Sequence, residues 1–145
     1  MKKIIITPAD KFEIDFVVDY VLKCNFKTYT ETQFEKTKMR YLKRLRSKSY
    51  LCFVAMIDAR IVGYVDLDVR KSDCSSTIWI NEIYVLNKFR HLKIATRLIK
   101  HAERSAKDLG FDSTYLNIEP ENTACLGLIG KNGYKCVQYI LRKKI

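Results

Sequence analysis

No apolar run in these 145 residues approaches the roughly 20 needed to cross a bilayer. At the N-terminus, "MKKIIITPAD" ends its apolar run after three isoleucines and shows no small-residue cleavage site, so it reads as a first strand and not as a secretory leader. A C-x-x-C pair is missing too. The five cysteines, Cys24, Cys52, Cys74, Cys125 and Cys136, are odd in number and scattered, with no Cys/His spacing of a zinc site. Reduced thiols in a cytoplasm, no bound metal and no membrane partner are the expectations. Nor is there a linker, an internal repeat or a low-complexity segment, and the length suits one domain over residues 1–145. Acidic residues are the remaining shortage: 16 Asp and Glu against 27 Lys and Arg leave a net charge of +11. That excess attracts anions, whether nucleic acid, acidic proteins or phosphorylated ligands, and does not choose among them.

With 48% hydrophobic and 30% charged residues the chain can build an ordinary soluble core. After the "KKIIIT" strand, "TPAD" has the form of a helix start: Thr7 can cap, Pro8 suits the first helical position and Asp10 favours the N-terminal dipole. Phe12, Phe16, Val17, Tyr20, Val21 and Cys24 follow at helical spacing. Thr30 and Gln33 in "TETQ" have capping-box spacing and open a second helix. Phe34, Tyr41, Leu42 and Leu45 form its apolar face, and Lys36, Lys38, Lys43, Arg44 and Lys48 its wet one. "YLCFVAMI" and "IVGYVDLDV", separated by "DAR", read as a hairpin, with Asp66 and Asp68 on a solvated face of its second strand. "TIWINEIYV" is apolar on both alternating faces, the pattern of a covered central strand. A helix over residues 93–109 carries Ile94, Leu98, Ala102, Ala106 and Leu109 as its stripe and Gly110 as its stop. "STYLNIE" is a further strand, Asn122 opens a short helix that Asn132 and Gly133 end, and "YKCVQYILRKKI" reads as a closing strand. The predicted fold is mixed α/β, in the order β-α-α-β-β-β-α-β-α-β.

The junction between the central strand and the long helix is unusual. In "NEIYVLNKFRHLKIATRLIKHAE" eight residues with neither glycine nor proline lead from an apolar strand into a basic helix start. A helix N-terminus there offers free backbone N–H groups and the positive end of its dipole, so the geometry suits a phosphate.

These residues resemble the acetyl-CoA-binding segment of the GNAT N-acetyltransferase superfamily, a strand and V-x-P-x-x followed by R/Q-x-x-G-x-G/A and a helix. Val85 falls on the strand-end valine, Arg90 on the leading Arg/Gln, Ala95 on the final Gly/Ala and Leu98 on a core leucine. "NTACLGLIGKNGY" is similar to the second family segment, N-x-x-A-x-x-L-Y-x-x-x-G-F, at Asn122, Leu128, Gly133 and Tyr134, with Cys125 at the small-residue position. "IVGYVDLDV" resembles the family's third strand. The resemblance implies a GNAT-like central mixed sheet with helices on both faces, acetyl-CoA as co-substrate and an amine acceptor. Acetyl-pantetheine would pair with the backbone of Ile83, Tyr84 and Val85. The diphosphate would sit at Arg90, His91 and Leu92 and on the N–H groups of Lys93, Ile94, Ala95 and Thr96. Asn122 would touch the pantetheine arm and Lys131 would reach a phosphate. Acetyl transfer would proceed by direct attack of the amine, with a strand-end N–H stabilising the oxyanion and a base or a water relay taking the proton.

Glu82 is the candidate base, because the family often carries an acid at this strand position and burial raises a carboxyl pKa towards a useful value. The competing reading is a carboxylate at a wet edge or paired to a lysine. Glu119 is a second, weaker candidate. Three departures from the pattern stand out: Lys93 replaces the first motif glycine, Ile129 replaces the tyrosine that often serves as general acid, and only twelve residues follow Gly133. In the ribosomal-protein N-terminal acetyltransferase subgroup a glutamate stands five residues before the motif asparagine; that position is Asn117 here. His101 is expected at the surface, and Cys125 as a small packing residue in preference to an acyl carrier. A cationic border from the two N-terminal helices would repel polyamines and aminoglycosides unless Asp15, Asp19, Asp66 and Asp68 gather locally.

Two other classes compete with the enzyme. Lys93 and Ile129 suit a catalytically silent acyl-CoA-binding or regulatory module. The run "EKTKMRYLKRLRSK" suits a nucleic-acid-binding domain with Phe34 and Tyr41 stacking on bases, although both fall on the helix's apolar stripe. The closing strand could pair with a neighbour's sheet edge, which makes a homodimer an option.

Overall fold

The computed structural model describes residues 3–145. Its order is β1 Ile5–Pro8, α1 Ile14–Asn25, α2 Glu31–Arg46, β2 Tyr50–Ile57, β3 Arg60–Lys71, β4 Ser76–Val85, α3 Ile94–Asp108, β5 Thr114–Tyr115 and α4 Thr123–Lys131, with a 3-10 turn at Asn87–Phe89 before α3. The five strands lie in the order β1-β2-β3-β4-β5, antiparallel except for the β4–β5 pair, which is parallel. Lys2 of the expected first strand lies outside the described residues.

Period-two alternation sorts the side chains of the hairpin onto two faces. Phe53, Ala55 and Ile57 of β2 join Val65 and Leu67 of β3 and Ile78 and Ile80 of β4 beneath Ile94, Leu98, Ala102 and Ala106 of α3. Tyr50, Cys52 and Val54 of β2 and Tyr64 of β3 meet Ile14, Val17, Val18 and Leu22 of α1 and Tyr41 of α2 on the other face. The turn between β2 and β3 holds Asp58 and Ala59, both at positive φ (49° and 59°), as a two-residue hairpin that follows strand twist requires. The α2 start is a complete capping box: Thr30 Oγ1 accepts the Gln33 N–H, and Gln33 Oε1 accepts the Thr30 N–H.

Four expectations are corrected. Helix α1 begins at Ile14, not at "TPAD"; Thr7 and Pro8 belong to β1, at the sheet edge where a residue without an N–H is tolerated, and Phe12 is exposed. Asp66 is not solvated but buried, because α1 and α2 cover the face of β3 to which it points. His101 is half-buried, edge-on to the Phe53 ring at 4.6 Å, and burial with the nearby Arg104 lowers its pKa. The segment after Tyr134 forms no strand: residues 135–145 are exposed and carry no ladder pairing. The element order otherwise agrees through α4.

Candidate functional site at the end of the fourth strand

Strand β4 has a neighbour on both sides for only part of its length. It pairs with β5 at Ile78 and Trp79, and from there to Val85 it keeps only β3 beside it. Sequence reading extended β5 through "STYLNIE", but the ladder stops at Tyr115, so β4 and the following segment part. The opening exposes the outward backbone groups of Ile83 and Val85, which alternate with those of Glu82 and Tyr84 turned towards β3, and buried backbone polar groups must find partners. A ligand with amide groups fits such an edge.

The opening is shaped by two further features. The register between β3 and β4 shifts by one residue, since Asp66 faces Glu82 while Leu67 faces Ile80; Asn81 is the extra residue of a bulge. Asn81 and Glu82 consequently both hydrogen-bond to aspartates of β3 on the α1/α2 side. Gly63, opposite Val85, allows a close approach: a Cβ there would lie 2.5 Å from the Tyr84 carbonyl oxygen.

Beyond Val85 the chain turns through the 3-10 segment into α3. Arg90 Nε donates to the Val85 carbonyl at 3.2 Å and ties the turn to the strand end. His91 and Lys93 both adopt positive φ, 67° and 59°. Lys93 is the N-cap of α3 in left-handed conformation, and its side chain makes no capping hydrogen bond. The first bond of the helix runs from the Arg97 N–H to the Lys93 carbonyl, so the N–H groups of Ile94, Ala95 and Thr96 precede the ladder. His91, Leu92 and Lys93 are exposed around them. An uncapped helix start beside unpaired strand backbone is suited to a ligand with an anionic part and an amide-bearing part.

Glu82 sits at the inner wall of the opening. Its Oε2 accepts the Tyr64 hydroxyl at 2.7 Å, and its backbone N–H donates to Asp66 Oδ1 at 3.0 Å. Burial, and then the charge of Glu82, push the Tyr64 pKa upward, so the phenol keeps its proton and donates it. Asp66 Oδ2 accepts the Tyr50 hydroxyl at 2.9 Å. Burial raises the Asp66 pKa to about 7 against the opposing pull of the Tyr50 hydrogen bond and Arg44. Asp68 receives Arg44 and Asn81, both at 2.9 Å. Tyr84 stacks on Tyr20 with ring centroids 3.7 Å apart. Sequence reading named Glu82, Tyr84 and Asp66, gave Tyr20 only as part of a helix's apolar stripe, and named neither Tyr50 nor Tyr64. Its available signal was the register: a tyrosine after Gly63 in a strand opposite Glu82 must share the face of that acid.

The other expected residues divide. Asn122 caps α4, its Oδ1 accepting the Cys125 N–H at 3.1 Å. Lys131 lies exposed in the last turn of α4, and Ile129 is buried there. Burial raises the Cys125 pKa, which suits a packing thiol. Glu119 is exposed, four residues past the end of β5. Tyr41 is buried and Phe34 stacks on Tyr29, so neither ring is offered to a nucleobase. A cavity of about 500 Å³ between α1 and α2 is lined by Val21, Phe26, Lys36 and Arg40, away from Glu82. Among the described residues no group of His, Cys, Asp and Glu could hold a metal ion, and no helix is long and apolar enough to cross a membrane.

Known proteins share this architecture. The model of the acetyltransferase (GNAT) family matches residues 14–134. An aminoglycoside N(6')-acetyltransferase type 1 of Salmonella typhimurium is 29% identical over 84 residues, an alignment covering 54% of this chain and 58% of that protein. The chain thus matches little more than half of that relative's length. Among solved structures, an aminoglycoside N-acetyltransferase in complex with CoA superposes with a TM-score of 0.85 at 18% identity, over 100% of this chain and 96% of the other. A putative acetyl transferase from Pyrococcus furiosus gives 0.75 at 23% identity, over 99% and 100%. At these identities the structural likeness speaks for the fold.

Proposed function

The chain belongs to the acetyltransferase (GNAT) family, and from that premise we propose that it transfers an acetyl group from acetyl-CoA to a primary amine, acting as one domain over residues 1–145. The observation that carries this reading is the parting of β4 from β5 after Trp79 beside the uncapped start of α3. The residues fit the co-substrate on those grounds. The backbone of Ile83, Tyr84 and Val85 would pair with its amide-bearing arm, and the N–H groups of Lys93, Ile94, Ala95 and Thr96 would hold its diphosphate. Arg90, His91, Leu92, Asn122 and Lys131 would border it. Acetyl-CoA supplies the acyl group as a thioester, already activated towards amines.

Glu82 accepts the proton of the incoming amine. Tyr64 holds its carboxylate through Oε2 and so fixes its direction. Cys125 takes no part, so transfer is direct. The acceptor is an amine of a small molecule or a protein. Of the four aspartates that would have to gather to favour a cationic acceptor, Asp66 accepts the Glu82 N–H, and Asp68 accepts the side chain of the adjacent Asn81 as well as Arg44. Asp15 and Asp19 are already paired with Lys38 and Lys23. Buried Ile129 supports a second reading, a silent acyl-CoA-binding module without a general acid.

A panel of polyamines, aminoglycosides and peptides incubated with acetyl-CoA separates the two, with thiol release as the readout. Amine-dependent thiol release is expected. Affinity for acetyl-CoA without release by any amine would favour the silent module. Strongly salt-dependent nucleic-acid binding, indifferent to CoA, would favour the basic-domain alternative.

A further inference from the structure

The cavity of about 500 Å³ between α1 and α2 shares no lining residue with the opening beside β4. Its walls are of two kinds. Val21 and Leu22 of α1, with Phe26 just after that helix, are apolar, and Gln33, Lys36 and Arg40 of α2 are polar or cationic. Its volume is that of a small-molecule site.

The two cations of this wall differ from others on the helix pair. Lys23 is paired with Asp19, Lys38 with Asp15 and Arg44 with Asp68. Among the described residues Lys36 and Arg40 have no acidic partner, and the helix offers them none at the spacings that bring side chains together. Three and four places from Lys36 stand Thr32, Gln33, Met39 and Arg40, and from Arg40 stand Lys36, Thr37, Lys43 and Arg44. Glu35 adjoins Lys36 in sequence and so lies on another face of the helix. Two like charges therefore stand one turn apart, an arrangement that costs helix stability and that an anion between them relieves. Further donors are at hand. Gln33 accepts the Thr30 N–H through Oε1 and has its amide N–H groups to give. Thr37 is buried and lines the same cavity, and its hydroxyl makes no side-chain hydrogen bond among the described residues.

We propose that this cavity binds a small carboxylate with an apolar body, the head between Lys36 and Arg40 and the body against Val21, Leu22 and Phe26. The two walls select the ligand together. An inorganic anion leaves the apolar wall wet, a neutral hydrocarbon leaves the like charges facing each other, and an amine is repelled. The site is separate from acetyl transfer but adjoins it. Val21 follows Tyr20, which stacks on Tyr84 beside the opening, so α1 forms a wall of both sites.

Isothermal titration calorimetry of the full chain with octanoate, 1-octanol and acetate tests this. Octanoate should bind once per chain and about tenfold or more tightly than either other probe, because it alone meets both walls. Lys36→Glu with Arg40→Glu should weaken octanoate binding about tenfold or more. The circular dichroism spectrum should not change, since both side chains are exposed. Saturating acetyl-CoA should leave octanoate binding as it was. Octanoate that fails to bind, that binds no better than 1-octanol or acetate, that tolerates the charge reversal, or that acetyl-CoA displaces overturns the proposal.

Discussion

On the α3 side of the sheet the buried residues are aliphatic apart from Phe53, with no buried polar group among them, whereas on the α1/α2 side Tyr41, Tyr50, Tyr64 and Cys52 surround Asp66. The same strands supply both faces. Their alternation gives β3 two unlike chemistries, with Val65 and Leu67 turned one way and Tyr64 and Asp66 the other. An aliphatic face supplies stability and holds α3 in place behind its basic turn. A face with buried hydroxyls and carboxylates gives up some of that stability to hold ionisable groups in fixed directions, which is where proton chemistry needs them.

The largest effect should come from the polar face. Glu82→Gln is expected to lower kcat about 100-fold or more while leaving acetyl-CoA affinity nearly unchanged. Unchanged kinetics would eliminate Glu82 as the base. On the aliphatic face, Leu98→Ala should cost about 3 kcal/mol in a denaturant titration. Its kcat should hold at temperatures where the variant is folded; a matching loss of kcat would mean that the faces are not separable.

Asp66 sharpens the contrast through pH. Its carboxyl is raised from 3.8 to about 7 in the folded protein, so between those values the native state holds the proton more tightly than the unfolded chain. Its contribution to stability is therefore full below about pH 4 and is lost as pH rises through about 7. Asp66→Asn should flatten the stability profile across that window, measured by thermal melting at stepped pH. The smallest effect belongs to the turn. Lys93→Gly removes a side chain from a left-handed residue and should add about 1 kcal/mol. An accompanying loss of acetyl-CoA affinity would show that the ammonium pairs with phosphate.

How far the sequence foretold this arrangement depended on the range of the forces involved. The Thr30–Gln33 capping box and the Gly110 stop are local signals, and both were legible. Helix α3 and the covered strand β4 were legible from periodicity. "TPAD" misled because its residues suit a helix start, yet β2 offers Thr7 and Pro8 ladder partners in Val54 and Phe53. Asp66 misled because one alternating strand cannot reveal that two distant helices cover its polar face. The bulge at Asn81, which sets the direction of Glu82, depends on register between strands and leaves no mark in one segment read alone. Lys93 was noticed as a departure from glycine; only the backbone shows that it keeps the left-handed geometry glycine would supply. The β-like tail was read as a closing strand because pattern predicts preference and says nothing of a partner.

The proposed activity requires the β4 opening and the α3 start to be one binding surface. Amide hydrogen exchange with and without acetyl-CoA tests it directly. Protection gained together at residues 83–85 and 94–96 is the predicted result. No change there, or protection confined to the cavity between α1 and α2, would contradict it.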